Sequence, residues 1–425
     1  MTADFHSLFS RLALEGPPLV MPASPAPLRY NFDAGYPAPE AFPIEAFKRI
    51  AAETLDDPAA LSYTSVHYDP DSGEPIYEEP GFRGRLEMSF GNQDLRTLLA
   101  QWIGARQQVT GLDCENFALT SGATQAIALA AAAFINPGEG ALVESLTFAW
   151  AFRSLRARGA DVRLVDLDEH GMVVESLEAR LEEMRRDGVR PKLLYLIPSY
   201  QLPTGTVLPL DRRRRVLELA EEWDMVVVED AIYADLGYDG DPPPSSLLHL
   251  DTSGRVIQAH AFSKIIAAGL RLGWMAGHPD MIRALVAVRE DLGMSQWLCR
   301  ILAQFMREGE LEPQIARAAA IYRTKRDLAA AGLREACGDL IDFRLPGGGI
   351  FLWVKLDEAV DWEAAKADAA RRGVSVREAD QFMFVRETTG PRHFRLGFGH
   401  CSRREIEDGT AALGAAITAA ARAPV

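Results

Sequence analysis

The sequence predicts an α/β protein with a mostly parallel sheet in a large domain, followed by a smaller α+β domain. Two observations carry that reading. From Asp94 to about Glu310, short apolar runs alternate with helical stretches, the pattern of strands buried on both faces by crossover helices. After Glu310 the order changes to one long helix, a pair of β segments, a further helix and a last strand. The length of 425 residues suits two to three domains at roughly 150 residues each.

The elements follow in order. Residues 16–28 hold Pro17, Pro18, Pro22, Pro25 and Pro27, a density that favours an extended arm or a disordered tail over helix or strand. Phe117–Thr120 reads as a short strand, with an Ala-rich helix from Gln125. Ala141–Glu144 is the next strand, with a helix over Ala149–Arg158. Val162–Val165 then precedes a helix over Glu175–Arg186. Leu193–Ile197 is an apolar strand, and Asp211 is the expected N-cap of a helix to Trp223. Met225–Val228 and Val256–Gln258 are further apolar runs. The smaller unit has a helix from about Pro313 to Cys337, then Ile341–Leu345 and Gly349–Val354 turning at Pro346-Gly347-Gly348. A helix over Trp362–Arg372 and a strand over Arg392–Phe398 follow.

A net charge of −15 argues against a general nucleic-acid or acidic-membrane binder, because phosphate contacts need a basic surface. The basic run Arg212–Arg215 starts a helix and reads as a solvated face. Trp150, Trp274 and Trp297 read as core or pocket wall. Cys114, Cys299, Cys337 and Cys401 are far apart with no Cys-x-x-Cys pair, as expected of buried thiols in a reducing compartment. The eight histidines show no ligand spacing, so no metal site is expected. The first residues lack a basic start and apolar run, and the longest apolar stretch, Ala126–Ile135, is too short to span a bilayer. A soluble cytoplasmic enzyme is expected.

Three motifs carry chemistry. Thr120-Ser121-Gly122-Ala123-Thr124-Gln125 sits at a strand-to-helix turn, where small residues and free N–H groups suit an anion. Ser263-Lys264 follows a strand, with Gly269-Leu270-Arg271-Leu272-Gly273 just after; a lysine there is a candidate for imine chemistry in a partly desolvated site. Glu229-Asp230-Ala231-Ile232-Tyr233 ends another strand, and α/β sheets gather ligands at such carboxyl ends.

In this order, with Pro203-Thr204-Gly205 between and Phe394-Arg395-Leu396 at the end, the set resembles the fold-type I pyridoxal-phosphate (PLP) enzymes of the class I/II aminotransferase family. Within that family the chain is similar to the 2-aminoadipate aminotransferases and to the aminotransferase-like domain of MocR-type regulators. The resemblance covers roughly residues 30–420. It implies PLP as cofactor, a small amino substrate and a homodimer with shared sites. It implies an N-terminal arm and part of the small domain over 1–55, a PLP-binding domain over 56–312 and a small domain over 313–425. Lys264 resembles the Schiff-base lysine that also moves the α-proton, and Asp230 the aspartate on the pyridine nitrogen. Tyr233 resembles the tyrosine on the cofactor O3′. Gly122, Ala123 and Thr124 resemble the phosphate turn, with Ser263 and Arg271 completing the anion cup. Phe148 sits where the family stacks an aromatic on the ring. Arg395 resembles the arginine that clamps the substrate α-carboxylate, a role suited to a guanidinium fork. Asn31–Pro43, with Gly35 and Tyr36, resembles the stretch passing the substrate pocket. Tyr63, Tyr68 and Phe90 compete for the residue that reaches the partner's phosphate.

The departures are informative. Gln201-Leu202-Pro203 places leucine where the family has an asparagine that donates to the cofactor O3′. Ser145-Leu146 replaces an acidic-Pro pair. An inserted segment over residues 66–88 reads as a substrate lid or a surface loop. The expected activity is amino transfer. The alternative is a non-transaminating PLP reaction of specialised metabolism, such as antibiotic pathways use: C–S β-elimination, decarboxylation or oxidative deamination. A MocR-like sensor is disfavoured, since only about 28 residues precede the family region.

Overall fold

The computed structural model describes residues 9–10, 27–62, 67–68, 75–76, 88–384 and 392–421. Most of the proline-rich arm, Tyr63 and most of the 66–88 segment lie outside the described residues.

Seven strands form the main sheet: β1 (Phe117–Thr120), β2 (Gly140–Glu144), β3 (Asp161–Val165), β4 (Pro191–Leu196), β5 (Val226–Asp230), β6 (Val256–Ala261) and β7 (Gly273–Gly277). Their spatial order is β1-β7-β6-β5-β4-β2-β3. Strands β2 to β6 pair in parallel, and β7 runs antiparallel to both β6 and β1. Every residue of β1, β2, β5, β6 and β7 is buried, which explains their near-continuous apolar runs. Helices α1 (Ala123–Phe134), α2 (Ala149–Ala157), α3 (Val174–Asp187) and α4 (Leu210–Glu222) connect the first five strands.

Several sequence expectations need correction. Strand β7 was absent from the expected set, because Gly273 was read as the end of the Gly269–Gly273 stretch and the run after it was not read as a strand. Its glycine is required by packing: a Cβ on Gly273 would lie 2.4 Å from the His260 carbonyl oxygen. Asp211 is not an N-cap; Pro209 holds that position, and Asp211 lies in the first turn of α4, where its charge still complements the helix dipole. Cys114 is only partly buried. The β pair after Cys337 is shorter than expected, Ile341–Asp342 against Lys355–Leu356. Its turn residues are engaged elsewhere: the Gly347 carbonyl accepts the N–H groups of Tyr238 and Asp239.

The second sheet contains β8 (Ile341–Asp342), β9 (Phe351–Leu356), β10 (Arg377–Glu378) and β11 (His393–Gly397), in antiparallel order β8-β9-β11-β10. Helix α5 (Leu311–Cys337) leads into it, and α6 (Trp362–Arg371) and α7 (Arg403–Ala419) pack with it. Tyr30–Asn31 pairs in parallel with Val374–Ser375. That pairing anchors residues 32–36 as a strap between the two sheets. Among the described residues, no helix is long and apolar enough to cross a membrane.

Candidate active site

The carboxyl ends of the parallel strands converge on Lys264. Its Nζ donates to the Gly35 carbonyl of the strap at 2.6 Å. Burial is the main force on this amine, and the positive charges of Arg395 and Arg271 add to it. Together they lower its pKa to about 8, while Asp230 opposes them. A lysine so placed has a sizeable neutral fraction near pH 8 and is nucleophilic.

Asp230 is the last residue of β5 and is buried. Its Oδ2 accepts from Tyr195 Oη at 2.7 Å and its Oδ1 from the Ile232 N–H at 3.2 Å. Burial raises its pKa, against the Tyr195 and Ile232 hydrogen bonds and the fields of His260 and Lys264. Tyr233 is buried with its ring edge-on to Phe351 at 5.5 Å. Burial pushes its pKa up, and Arg395 pulls it back.

The residues expected to hold an anion meet at the start of α1. Gly122 adopts φ +76°, and a Cβ there would meet Arg271 Nη2 at 2.8 Å. Glycine is therefore needed both for the backbone angle and for the guanidinium. Arg271 itself is in the left-handed region at φ +47°. It donates to the Ser121 carbonyl at 3.0 Å and reaches Ser263 Oγ at 3.5 Å. No side chain caps α1, so the first N–H groups, with Ala123 and Thr124, face an anion position. A cavity of about 680 Å³ opens here, lined by Ser121, Thr124, Gln125, Trp150, Arg153 and Arg271 among others. Phe148 is half-buried at the N-cap of α2, and Leu202 is buried.

The opposite wall comes from the strap and the second sheet. Arg395 on β11 is 4% exposed, and its Nη2 donates to the Asp33 carbonyl. Its guanidinium carbon lies 4.3 Å from the Phe351 ring centroid and 5.3 Å from that of Phe382. Burial and the neighbouring Arg377 lower its pKa to about 10, and its buried Nε has no hydrogen-bond partner among the described residues. Arg377 is paired in register with Arg395 and forms two hydrogen bonds to Asp33, Nε–Oδ1 at 2.6 Å and Nη2–Oδ2 at 3.1 Å. A Cβ on Gly35 would lie 3.0 Å from Phe351 and 3.6 Å from Arg395 Nη1. Tyr36 stands apart: it is 60% exposed and edge-on to His400 at 5.5 Å.

Sequence reasoning missed Tyr195, Glu144, Asp33, Arg377, Phe351 and Phe382. Tyr195 carried one usable signal, a hydroxyl near the carboxyl end of an apolar parallel strand. Glu144, Asp33 and Phe351 lay inside stretches already read as strand or pocket-lining, but nothing in their local pattern singled them out, and Arg377 and Phe382 have no linear spacing to the motifs.

These groups fit PLP. A buried carboxylate, a tyrosine hydroxyl without a protein hydrogen bond among the described residues, a depressed lysine and a glycine-lined turn stand close together, near enough that Asp230, Arg271 and Arg395 all act on the Lys264 amine. Fold and site together define a fold-type I PLP enzyme. Residues 83–413 match the family model for aminotransferase class I and II. Aromatic-amino-acid aminotransferase 1 of Thermococcus litoralis is 31% identical over 90% of this chain and 86% of its own length. The kynurenine aminotransferase of Pyrococcus horikoshii superposes with a TM-score of 0.85 at 30% identity, covering 99% of both chains. The α-aminoadipate aminotransferase of Thermus thermophilus, complexed with N-(5′-phosphopyridoxyl)-L-leucine, gives 0.81 at 26% identity over 98% of this chain and 99% of its own. The chain belongs to the aminotransferase class I and II family, and it is a PLP-dependent aminotransferase.

Proposed function

We propose that the protein transfers the amino group of an aromatic or similarly large apolar α-amino acid to a keto acid. The observation that carries this is Arg395, whose buried Nε has no hydrogen-bond partner among the described residues and whose guanidinium carbon lies over Phe351 and Phe382. An α-carboxylate would pair with the guanidinium, and a flat apolar side chain would pack on the rings. The only other arginine beside it in the sheet pairing, Arg377, already has its charge matched by Asp33, which disfavours a second substrate carboxylate. Relatives named for aromatic amino acids and kynurenine point the same way.

In this reading Gly122, Ala123, Thr124, Ser263 and Arg271 hold the cofactor phosphate, and Asp230 faces the pyridine nitrogen. Bound PLP supplies an electron sink that makes the substrate Cα–H bond acidic. Tyr195 orients Asp230 by its 2.7 Å hydrogen bond. Tyr233 presents its hydroxyl to the cofactor O3′. Phe148 and Leu202 line the ring faces, and Leu202 leaves Tyr233 as the main side-chain donor there. Arg395 orients the substrate, and Lys264 Nζ takes the proton from its Cα. The strap at Asp33–Tyr36 covers the mouth and excludes water. A homodimer with shared sites is part of this proposal, supported by the exposed Tyr36, Ile44, Leu61 and Trp150. A cytoplasmic setting is supported by the free Cys299, Cys337 and Cys401.

The test is to incubate the holoenzyme with phenylalanine, kynurenine and 2-aminoadipate, with and without 2-oxoglutarate or pyruvate. The expected result is turnover of the aromatic substrates that needs the acceptor. Preference for 2-aminoadipate would overturn the side-chain assignment. Release of pyruvate, carbon dioxide or hydrogen peroxide without an acceptor would mean that Leu202 marks a non-transaminating pocket.

A further inference from the structure

Glu144 ends β2, is 2% exposed and has no part in the chemistry above. Its single oxygen Oε2 accepts three hydrogen bonds: from the Ile197 N–H at 3.1 Å, Gln201 Nε2 at 3.1 Å and Thr147 Oγ1 at 3.2 Å. Each donor belongs to a segment that carries a pocket residue. Thr147 precedes Phe148, and Gln201 precedes Leu202. Gln201 Nε2 also donates to the Leu146 carbonyl at 2.6 Å, doubling the link between the two segments. The Thr147 N–H donates to the Phe382 carbonyl at 3.0 Å, so the same joint reaches the ring beside Arg395.

We propose that Glu144 is a positioning residue: one buried carboxyl oxygen fixes the Phe148 segment to the Leu202 segment and sets the width of the cofactor-ring slot. The inference rests on the cofactor site assigned above. Other titratable groups facing it are Asp230 from β5 and Tyr195 from β4. Burial raises the Glu144 pKa to about 8, against its three hydrogen bonds, and Asp230 adds to the rise. At neutral pH Glu144 is therefore mostly uncharged, with Oε2 occupied by donors and the proton free to sit on Oε1. A neutral joint adds no second negative charge beside Asp230. Glutamine reproduces the acceptor without the ionisation, so Glu144→Gln and Glu144→Ala separate the two properties.

The sign of the pH effect follows from the raised pKa. The stabilisation is complete below the usual glutamate value of 4.5 and is lost as pH rises to about 8. The experiment measures PLP affinity of the apoprotein for wild type, Glu144→Gln, Glu144→Ala and Thr147→Val, with apoprotein melting between pH 5 and 8.5. Glu144→Ala is expected to weaken PLP binding about tenfold or more, and Thr147→Val severalfold. Glu144→Gln should stay within about twofold of wild type while losing part of the fall in melting temperature with pH. If Glu144→Ala does not fold, Thr147→Val and Glu144→Gln decide the matter. Wild-type affinity in Glu144→Ala or in Thr147→Val overturns the proposal, and so does a Glu144→Gln variant as impaired as alanine. Failure of the underlying site assignment would look different: borohydride would then fix PLP to a lysine other than Lys264 in the wild type itself.

Discussion

On one side of Lys264, Asp230, Tyr233, Gly122 and Arg271 stand at the carboxyl end of β5 and in the turns beside β1 and β7. On the other side, Asp33, Gly35, Phe351, Arg377 and Arg395 meet only because a strap lies between two sheets. Sheet hydrogen bonds fix the first wall, so spacing along the chain translates into spacing in the site. The second wall is closed by pairs far apart in sequence: Arg395 to the Asp33 carbonyl, and Lys264 to the Gly35 carbonyl. A strand-end wall is therefore rigid and demanding of residue type, whereas a strap wall depends on a few polar contacts and can open.

The largest effect should come from the rigid wall. Asp230→Asn keeps an acceptor oxygen for only one of the Tyr195 and Ile232 donors, which reach different carboxylate oxygens in the wild type, and removes the carboxylate. Turnover should fall on the order of a hundredfold or more, with folding retained by circular dichroism. Next comes Arg395→Ala. Loss of a charge-assisted partner for the carboxylate costs about 1.5–3 kcal/mol, so KM should rise roughly ten- to hundredfold while PLP affinity stays near wild type. A loss of PLP in that variant would erase the distinction between the two walls.

The motif order made the first wall legible, because each motif sits next to its own strand. The second wall was half-legible. Arg395 and Gly35 were visible through resemblance, but Asp33 and Arg377 were not, since an ion pair between positions 33 and 377 leaves no trace in local pattern. Strand β7 was missed because glycines at both of its ends look like a loop.

Smaller effects sharpen the comparison further. Leu202→Asn restores a donor beside the ring. It should shift the absorption of bound PLP and change turnover by less than about tenfold, without altering the need for a keto acid acceptor. Arg377→Met breaks a partly exposed pair with Asp33, worth up to about 1 kcal/mol. It should raise KM only a few-fold, and an unchanged KM would mean that the strap is held by its backbone contacts alone.

The central claim is that Lys264, at the seam of the two walls, is the group that attaches the cofactor. Reduction of the holoenzyme with borohydride, followed by peptide mapping, tests it most directly. Because the Lys264 pKa is lowered to about 8, the neutral amine grows as pH rises through that value, so uptake of PLP by the apoprotein should quicken over the same range. The cofactor is predicted on the peptide containing Ser263-Lys264 and on no peptide of the Lys264→Ala variant. Label on any other lysine would contradict the account.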